Sequence, residues 1–251
     1  MSDDYLMMTA TESLAKAQAT IRGFIAARDD RNSLVTQIVI EIGAEILENV
    51  IPPGHDLNSV DLARRYRTSR TPIREALMLL EKEGLVDIPP RRRPRVMVMD
   101  ISVIREIYRT RAAILEFVAV DVAQNATEEE LEQLSRVVDD MEQAFRHSDS
   151  LAYIWANIAF HDLNMTVSKN LTAKRIVESL LLRTFHLRRK SLARPGRMEI
   201  SLKEHKRLVE AYHNRDANLA SALIRSNHFN ALRNIESAVE ENSATARFAS
   251  R

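Results

Sequence analysis

Apolar residues recur every three to four positions along most of the chain, and the places where that period breaks divide it. Leu14, Ile21 and Ile25 share one side of a predicted helix over 8–27, either an accessory helix packed on the body or a partly disordered tail, which ends in the polar stretch Arg28 to Asn32. Leu34, Ile38, Ile42, Ile46 and Leu47 predict a second helix over 33–50, which Pro52, Pro53 and Gly54 stop. A short third helix starts at Asn58 or Ser59, with Asn58 and Asp61 at N-cap spacing, and breaks at Arg67 and Thr68. It turns Leu62 and Ala63 inward and Arg64, Arg65 and Arg67 outward. A fourth runs from Ser69 or Thr71 to Glu83 on the stripe Ile73, Leu77 and Leu80, with Pro72 in its first turn and Gly84 as its stop. The period then shortens. Leu85 to Ile88 and Arg95 to Met99, with Val96 and Val98 alternating, predict a small β-hairpin whose tip is Pro89 to Pro94. Three helices and a hairpin predict a winged helix-turn-helix at 33–99, behind an N-terminal extension of 1–32.

Beyond a linker at 100–103 the helical period holds to the end. Helices are predicted at 102–125, 127–147, 150–168, 171–191, 199–213 and 216–240. Thr127 with Glu130 forms a capping-box pair, and Ser201 with Glu204 is a second candidate. Six helices with short connections predict an antiparallel bundle over 104–245, followed by a tail at 246–251. The expected fold class is mostly α.

Composition agrees and removes several functions. Five Gly and seven Pro in 251 residues favour helices over turn-linked strands. The longest stretch without Asp, Glu, Lys or Arg, 150–161, is shorter than the ~18 residues of a membrane span. The absence of Cys excludes disulfides, thiolate metal sites and Cys nucleophiles; with no secretion signal at the N-terminus, the expected location is cytoplasmic. The net charge of +1 hides an uneven distribution: 58–95 holds ten Lys/Arg against five Asp/Glu, and 121–150 holds two against nine. Two domains with separate tasks are expected.

The basic domain carries the most informative run, Ser69-Arg70-Thr71-Pro72-Ile73-Arg74-Glu75-Ala76-Leu77. Arg70 and Arg74, four apart, project from one helical face. Arg donates bidentately to a guanine edge, while hydroxyls and helix N-terminal amides suit phosphate oxygens. For two Arg at this spacing alone a solvated face is the commoner reading. The wider pattern changes that: Pro-Pro-Gly-x-x-Leu at 52–57, Leu62-Ala63, the run at 69–77, and Leu80-Glu81-x-Glu83-Gly84-Leu85-Val86 resemble the N-terminal domain of GntR family transcriptional regulators. The resemblance implies operator contacts by Arg70, Thr71 and Arg74 and a hairpin tip in the minor groove. The expected contact set is Arg64, Ser69, Arg70, Thr71, Pro72, Arg74 and Arg92. The family's usual Gly at the tip is replaced here by Arg91 to Arg93.

In the helical domain, Asn157 and His161 stand at i, i+4, and His205 and His228 lie mid-helix among apolar neighbours. Singly, each is more often a hydrogen-bonded histidine; together, three imidazoles and an oxygen suit a first-row metal such as zinc. Phe160-His161, Ser168-Lys169-Asn170, Glu204-His205 with Ala211, Asp216-x-x-x-Ala220 and His228 are similar to the FCD ligand-binding domain of the FadR-like branch. That resemblance implies a divalent metal, most readily zinc, on Asn157, His161, His205 and His228, with Asn157 where the family's metal binders carry Asp. Arg111 and Glu116 resemble an Arg and Glu of the family's first bundle helix at one residue wider spacing. Arg111 is a candidate handle for an effector carboxylate, with a surface ion pair to Glu106 or Glu116 as the competing reading. His55, His147, His186 and His213 receive no role.

The leading expectation is a repressor, not an enzyme, that binds double-stranded operator DNA as a homodimer, has no membrane partner, and is released by a small carboxylate metabolite. A metal-dependent hydrolase with Glu204 as base is one alternative, although adjacent helix residues point about 100° apart, which aims Glu204 away from a metal on His205. A constitutive DNA binder with a structural metal is the other.

Overall fold

The computed structural model describes residues 5–25 and 33–249, with side chains described for 5–23 and 33–240. The end of the first predicted helix, the polar run 28–32 and the last two residues of the tail lie outside the described residues. The chain divides into two compact units, Thr9–Met99 with Leu181–His186, and Asp100–Leu180 and Leu187–Arg251 with residues up to Met8.

In the first unit, α1 (Ala10–Ile25) packs on α2 (Leu34–Leu47). Thr9 and Glu12 cap α1 reciprocally, the Thr9 amide donating to Glu12 Oε2 at 2.7 Å and the Glu12 amide to Thr9 Oγ1 at 3.2 Å. Ile21 is buried against Gly43, where a Cβ would stand 3.1 Å from Ile21 Cδ1. Ser33 caps α2, which ends at Leu47, three residues short of the predicted 50. Val50 is exposed there, and the chain turns through Asn49 at φ 59. Asn58 caps α3 (Ser59–Arg65) as expected, and α4 (Arg70–Lys82) buries Ile73, Ala76, Leu77 and Leu80. Gly84, at φ 76, ends it in the left-handed region that a Cβ disfavours.

The wing is smaller than the alternation predicts. β1 (Val86–Asp87) and β2 (Arg95–Val96) pair antiparallel with Val86 opposite Val96 and Asp87 opposite Arg95. The remaining strand hydrogen bonds go elsewhere: the other edge of β2 is met by the loop before α3, Gly54 N donating to Val96 O at 2.9 Å and Val96 N to His55 O at 2.9 Å. Val98 is consequently 63% exposed rather than in a hairpin face.

The second unit is a helical bundle of α5 (Ile101–Asn125), α6 (Glu128–Arg146), α7 (Ser150–Val167), α8 (Leu171–Leu192, apart from the stretch Leu181–His186 counted with the first unit), α9 (Arg197–His213) and α10 (Ala217–Ala249). α5 packs chiefly on α10, and α6 on α7 and α9. The apolar stripe of α5, Leu115, Val118, Ala119 and Val122, is fully buried, and each large side chain so placed contributes about 1.5 to 3 kcal/mol. The capping box at Thr127 and Glu130 is present with both bonds. The second candidate box is not. α9 starts earlier, at Arg197 after Gly196 at φ 74, so Ser201 lies inside the helix with its carbonyl accepting from His205. No helix among the described residues is long and apolar enough to cross a membrane.

Thr127→Ala is expected to lower the stability of the helical unit by about 1 kcal/mol, because the Glu130 amide in the first turn of α6 loses its acceptor, the Thr127 hydroxyl. Urea unfolding followed by circular dichroism checks it; an unchanged midpoint would mean that water replaces the cap at no cost.

Candidate functional site

The turn Tyr66 to Ser69 places α3 and α4 as a helix-turn-helix. Arg64, Ser69, Arg70, Thr71 and Arg74 are exposed and Pro72 is half-buried. Ser69 takes the N-cap backbone position of α4, but its hydroxyl caps no amide. Arg64 makes only a surface pair with Asp61 at 3.3 Å, both side chains more than half exposed, which contributes little. Two basic residues of the segment are instead occupied by carboxylates. Arg65 bonds Glu45 of α2 through both guanidinium nitrogens, Nη1 at 2.8 Å from Oε2, and Arg95 pairs with Asp87 across the wing at 2.8 Å. Arg65, predicted to face outward with Arg64, is thereby drawn back onto its own unit.

At the tip, Arg92 N donates to Pro89 O at 3.2 Å, closing a turn in which Pro90 precedes Arg91 at φ 60. Pro followed by a residue of positive φ is the sequence of a type II turn, whose third position Gly ordinarily fills. Arg91 takes that conformation despite its Cβ. Arg91, Arg92 and Arg93 are all exposed and gather with Arg95 around Asp56 and Pro89.

The second site is a small cavity of about 20 Å³ in the helical unit, walled by Tyr108, Asn157, His161, Arg188, Arg197 and His228 among others. The bundle places Asn157, His161 and His228 on that wall, and His205 beside them, against Asn157 and His161. Ring centres lie 5.4 Å apart for His161 and His205 and 5.3 Å for His161 and His228, close to the about 5 Å expected of imidazoles sharing a tetrahedral ion bound at about 2.0 to 2.1 Å. His205 Nδ1 is bonded to Ser201 O at 2.7 Å and His228 Nδ1 to Ile224 O at 3.0 Å. These are carbonyls four residues back on their own helices, and such bonds fix each tautomer and turn Nε2 inward. His161 Nδ1 and His228 Nε2 are buried with no hydrogen-bond partner.

Burial, reinforced by Arg188 for His161 and Arg111 for His228, holds both imidazoles well below their ordinary pKa. Burial lowers His205 to about 4 against the opposing pull of the Ser201 carbonyl. All three are neutral at physiological pH, the protonation state a metal ligand needs. Asn157 fits less directly. Its Oδ1 accepts from Arg188 Nη1 at 2.9 Å, and its Nδ2 stands 3.2 Å from His205 Nε2. In this arrangement no three His, Asp, Glu or Cys side chains among the described residues are placed to hold an ion. The donor types suit a metal, and ligation requires Asn157 to give up these contacts.

Arg111 is 1% exposed, which removes the surface ion pair as its role; Glu116 faces Arg225 instead, at 3.6 Å. Its guanidinium lies 5.4 Å from the Tyr108 ring. Glu204 is no free base, since its carboxylate accepts from both terminal nitrogens of Arg197 at 3.1 Å and from Asn227 at 2.7 Å. Sequence reasoning passed over Arg188 and Arg197. The signal for Arg188 was its place in the stripe Leu181, Phe185, Arg188, Leu192, a charged residue where helical spacing calls for an apolar one; all four are buried.

A basic helix-turn-helix with a wing, joined to a helical bundle with a polar cavity, defines a DNA-binding regulator with a ligand domain. Residues 34–96 match the bacterial regulatory proteins of the gntR family, and residues 106–231 match the FCD domain. The chain belongs to the GntR family of transcriptional regulators and carries an FCD domain; members of this family are regulators, not enzymes. It is 29% identical over 186 residues to the HTH-type transcriptional regulator YdhC of Bacillus subtilis, covering 74% of this chain and 83% of that protein. With the HTH-type transcriptional repressor RspR of Escherichia coli it shares 26% identity over 180 residues, 72% of this chain and 79% of that one. The fold is shared with E. coli McbR/YncC, at a TM-score of 0.70 and 19% identity over 82% of this chain and 99% of that one. It is shared too with a putative GntR regulator from Rhodococcus sp. RHA1, at a TM-score of 0.67 and 18% identity over 81% and 98%.

Arg91→Gly is expected to stabilise the winged unit by about 0.5 to 1 kcal/mol, the relief of left-handed strain less the greater freedom of Gly in the unfolded chain. Denaturant unfolding measures it, and a lower midpoint would show that the Arg91 side chain makes contacts worth more than the strain.

Proposed function

We propose that the protein is an operator-binding repressor of the FadR-like branch, released by a small carboxylate effector at a metal-assisted site in the helical domain. The observation that carries this reading is the convergence of Asn157, His161 and His228 on one cavity whose wall includes guanidinium groups, with His205 against Asn157 and His161. Two relatives support repression by name, RspR and the gluconate operon transcriptional repressor of Bacillus licheniformis, which is 25% identical over 209 residues. In this reading residues 33–99 read DNA through Arg64, Ser69, Arg70, Thr71, Pro72, Arg74 and Arg92. Residues 104–245 bind the effector and supply most of a homodimer interface, whose two-fold symmetry calls for a palindromic site.

The three histidines and Asn157 would hold a divalent ion, zinc by donor type, which supplies a positive centre for an anionic oxygen. Arg111 and Arg188 add cationic character around it. Coupling to DNA requires that the effector bind two arrangements of the bundle unequally, because equal affinities shift no population.

Arg70→Ala and Arg74→Ala should each weaken operator binding by about 1 to 3 kcal/mol. Replacing Arg91, Arg92 and Arg93 by Ala should weaken all DNA and flatten the salt dependence. Gel-shift titrations at several salt concentrations separate the two effects, and unchanged affinity in both variants would remove the DNA interface.

His161→Ala should lower metal affinity by about 10- to 100-fold or more, and Asn157→Asp should raise it by supplying an anionic ligand. Competition with a chelating dye reads both; a stoichiometric ion indifferent to either change would place the metal elsewhere. Organic acids titrated with and without operator should show weaker effector binding on DNA, by the factor that effector weakens DNA binding.

A further inference from the structure

Arg188 is a buried cation whose bonded partner among the described residues is a neutral amide. It is 8% exposed, Nη1 donates to Asn157 Oδ1 at 2.9 Å, and no carboxylate among the described residues pairs with it. Arg197, also on the cavity wall, differs: Glu204 accepts from both of its terminal nitrogens at 3.1 Å and neutralises it from behind. Among the described residues, no acidic side chain lines the cavity. A guanidinium taken out of water is costly unless its five N–H groups find acceptors, and one amide oxygen satisfies few of them.

Asn157 connects this cation to the imidazoles, with Oδ1 on Arg188 and Nδ2 toward His205 Nε2 at 3.2 Å. A carboxylate arriving at Arg188 meets a planar fork that makes two parallel, charge-assisted bonds, against the single bond of the amide it displaces. Across the same cavity His161 Nδ1 has no hydrogen-bond partner. A neutral imidazole protonated at that nitrogen donates to a second acidic group.

Resting on the effector cavity proposed above, we infer that Arg188 is the residue that selects the effector, taking one carboxylate in place of Asn157, and that the site prefers a short dicarboxylate whose other end is met by His161. A cavity of about 20 Å³ holds about one water. A four-carbon diacid is larger than that, so it binds only as the lining side chains move, Asn157 leaving Arg188 first. Recognition by Arg188 thus breaks a hydrogen bond that links α8, which carries Arg188, to α7, which carries Asn157 and His161.

Isothermal titration of the full-length protein with succinate and with propionate tests this. Succinate is expected to bind at least about tenfold more tightly than propionate, the effect of a second charged hydrogen-bonded anchor. Arg188→Gln should lose about 10- to 100-fold for succinate and erase the preference. Arg188→Lys, which keeps the charge but not the fork, should fall between them, and circular dichroism establishes that both variants are folded. Succinate affinity unchanged in Arg188→Gln, or propionate binding as tightly as succinate, overturns this inference and leaves a carboxylate effector site standing. Binding of neither acid to the wild type overturns the inference and counts against the effector reading as well.

Discussion

The helical unit is organised around one difficult requirement, the burial of a cation beside three imidazoles that must stay uncharged. Protonating any of the three would place another positive charge in a region of low polarizability with Arg188 and Arg111 nearby. Burial and those guanidinium groups oppose it together. The histidines remain available as lone-pair donors for that reason, and the two carbonyl bonds made by His205 and His228 aim them. Asn157 tolerates the arrangement where a carboxylate would have closed it, because an amide serves Arg188 and His205 at once as acceptor and donor without contributing charge. The substitution that looks like a weakened metal ligand in the sequence is, in the folded chain, the joint between the cationic and the imidazole sides of the cavity.

The DNA-reading unit solves a different problem, keeping positive charge on one face of a protein whose net charge is near zero. Arg65 and Arg95 are neutralised by Glu45 and Asp87 and serve to fix α2 to α3 and one strand of the wing to the other. Arg70, Arg74 and the tip arginines stay exposed. Local segregation, rather than overall basicity, is how a chain near electroneutrality presents a positive face to a polyanion.

Much of this was legible in the sequence, and the failures share a cause. Helix positions followed from apolar spacing, and their ends from Asn58, Thr127 and Gly84, because caps and stops are local chemistry. Ser201 and Glu204 fit a capping pattern equally well, yet Glu204 is consumed by Arg197, a residue seven positions away that sequence spacing does not connect to it as an acceptor. The wing was read too long because Val96 and Val98 alternate correctly, while the partner of β2 on its other edge is the loop at His55. Arg188 was passed over since an arginine in a run of basic residues reads as solvated; only its phase within the stripe of α8 marks it as buried. Local rules located the elements, and long-range pairing decided which polar groups the site possesses.

The packing of Ile21 on Gly43 bears on where a self-sufficient DNA-reading fragment begins. The family segment starts at residue 34, yet α2 is closed on one side by α1, whose Ser13 donates to Glu48 at 2.9 Å and whose Ile21 fills the notch left by an absent side chain. A fragment excised at residue 33 would bare an apolar groove floored by backbone, a surface suited to sticking to its own copies. Cut before Thr9 instead, it would carry its own cover, including the capping turn that starts α1. α1 is in this sense part of the hydrophobic core of the winged unit, whose apolar packing begins ahead of the family segment.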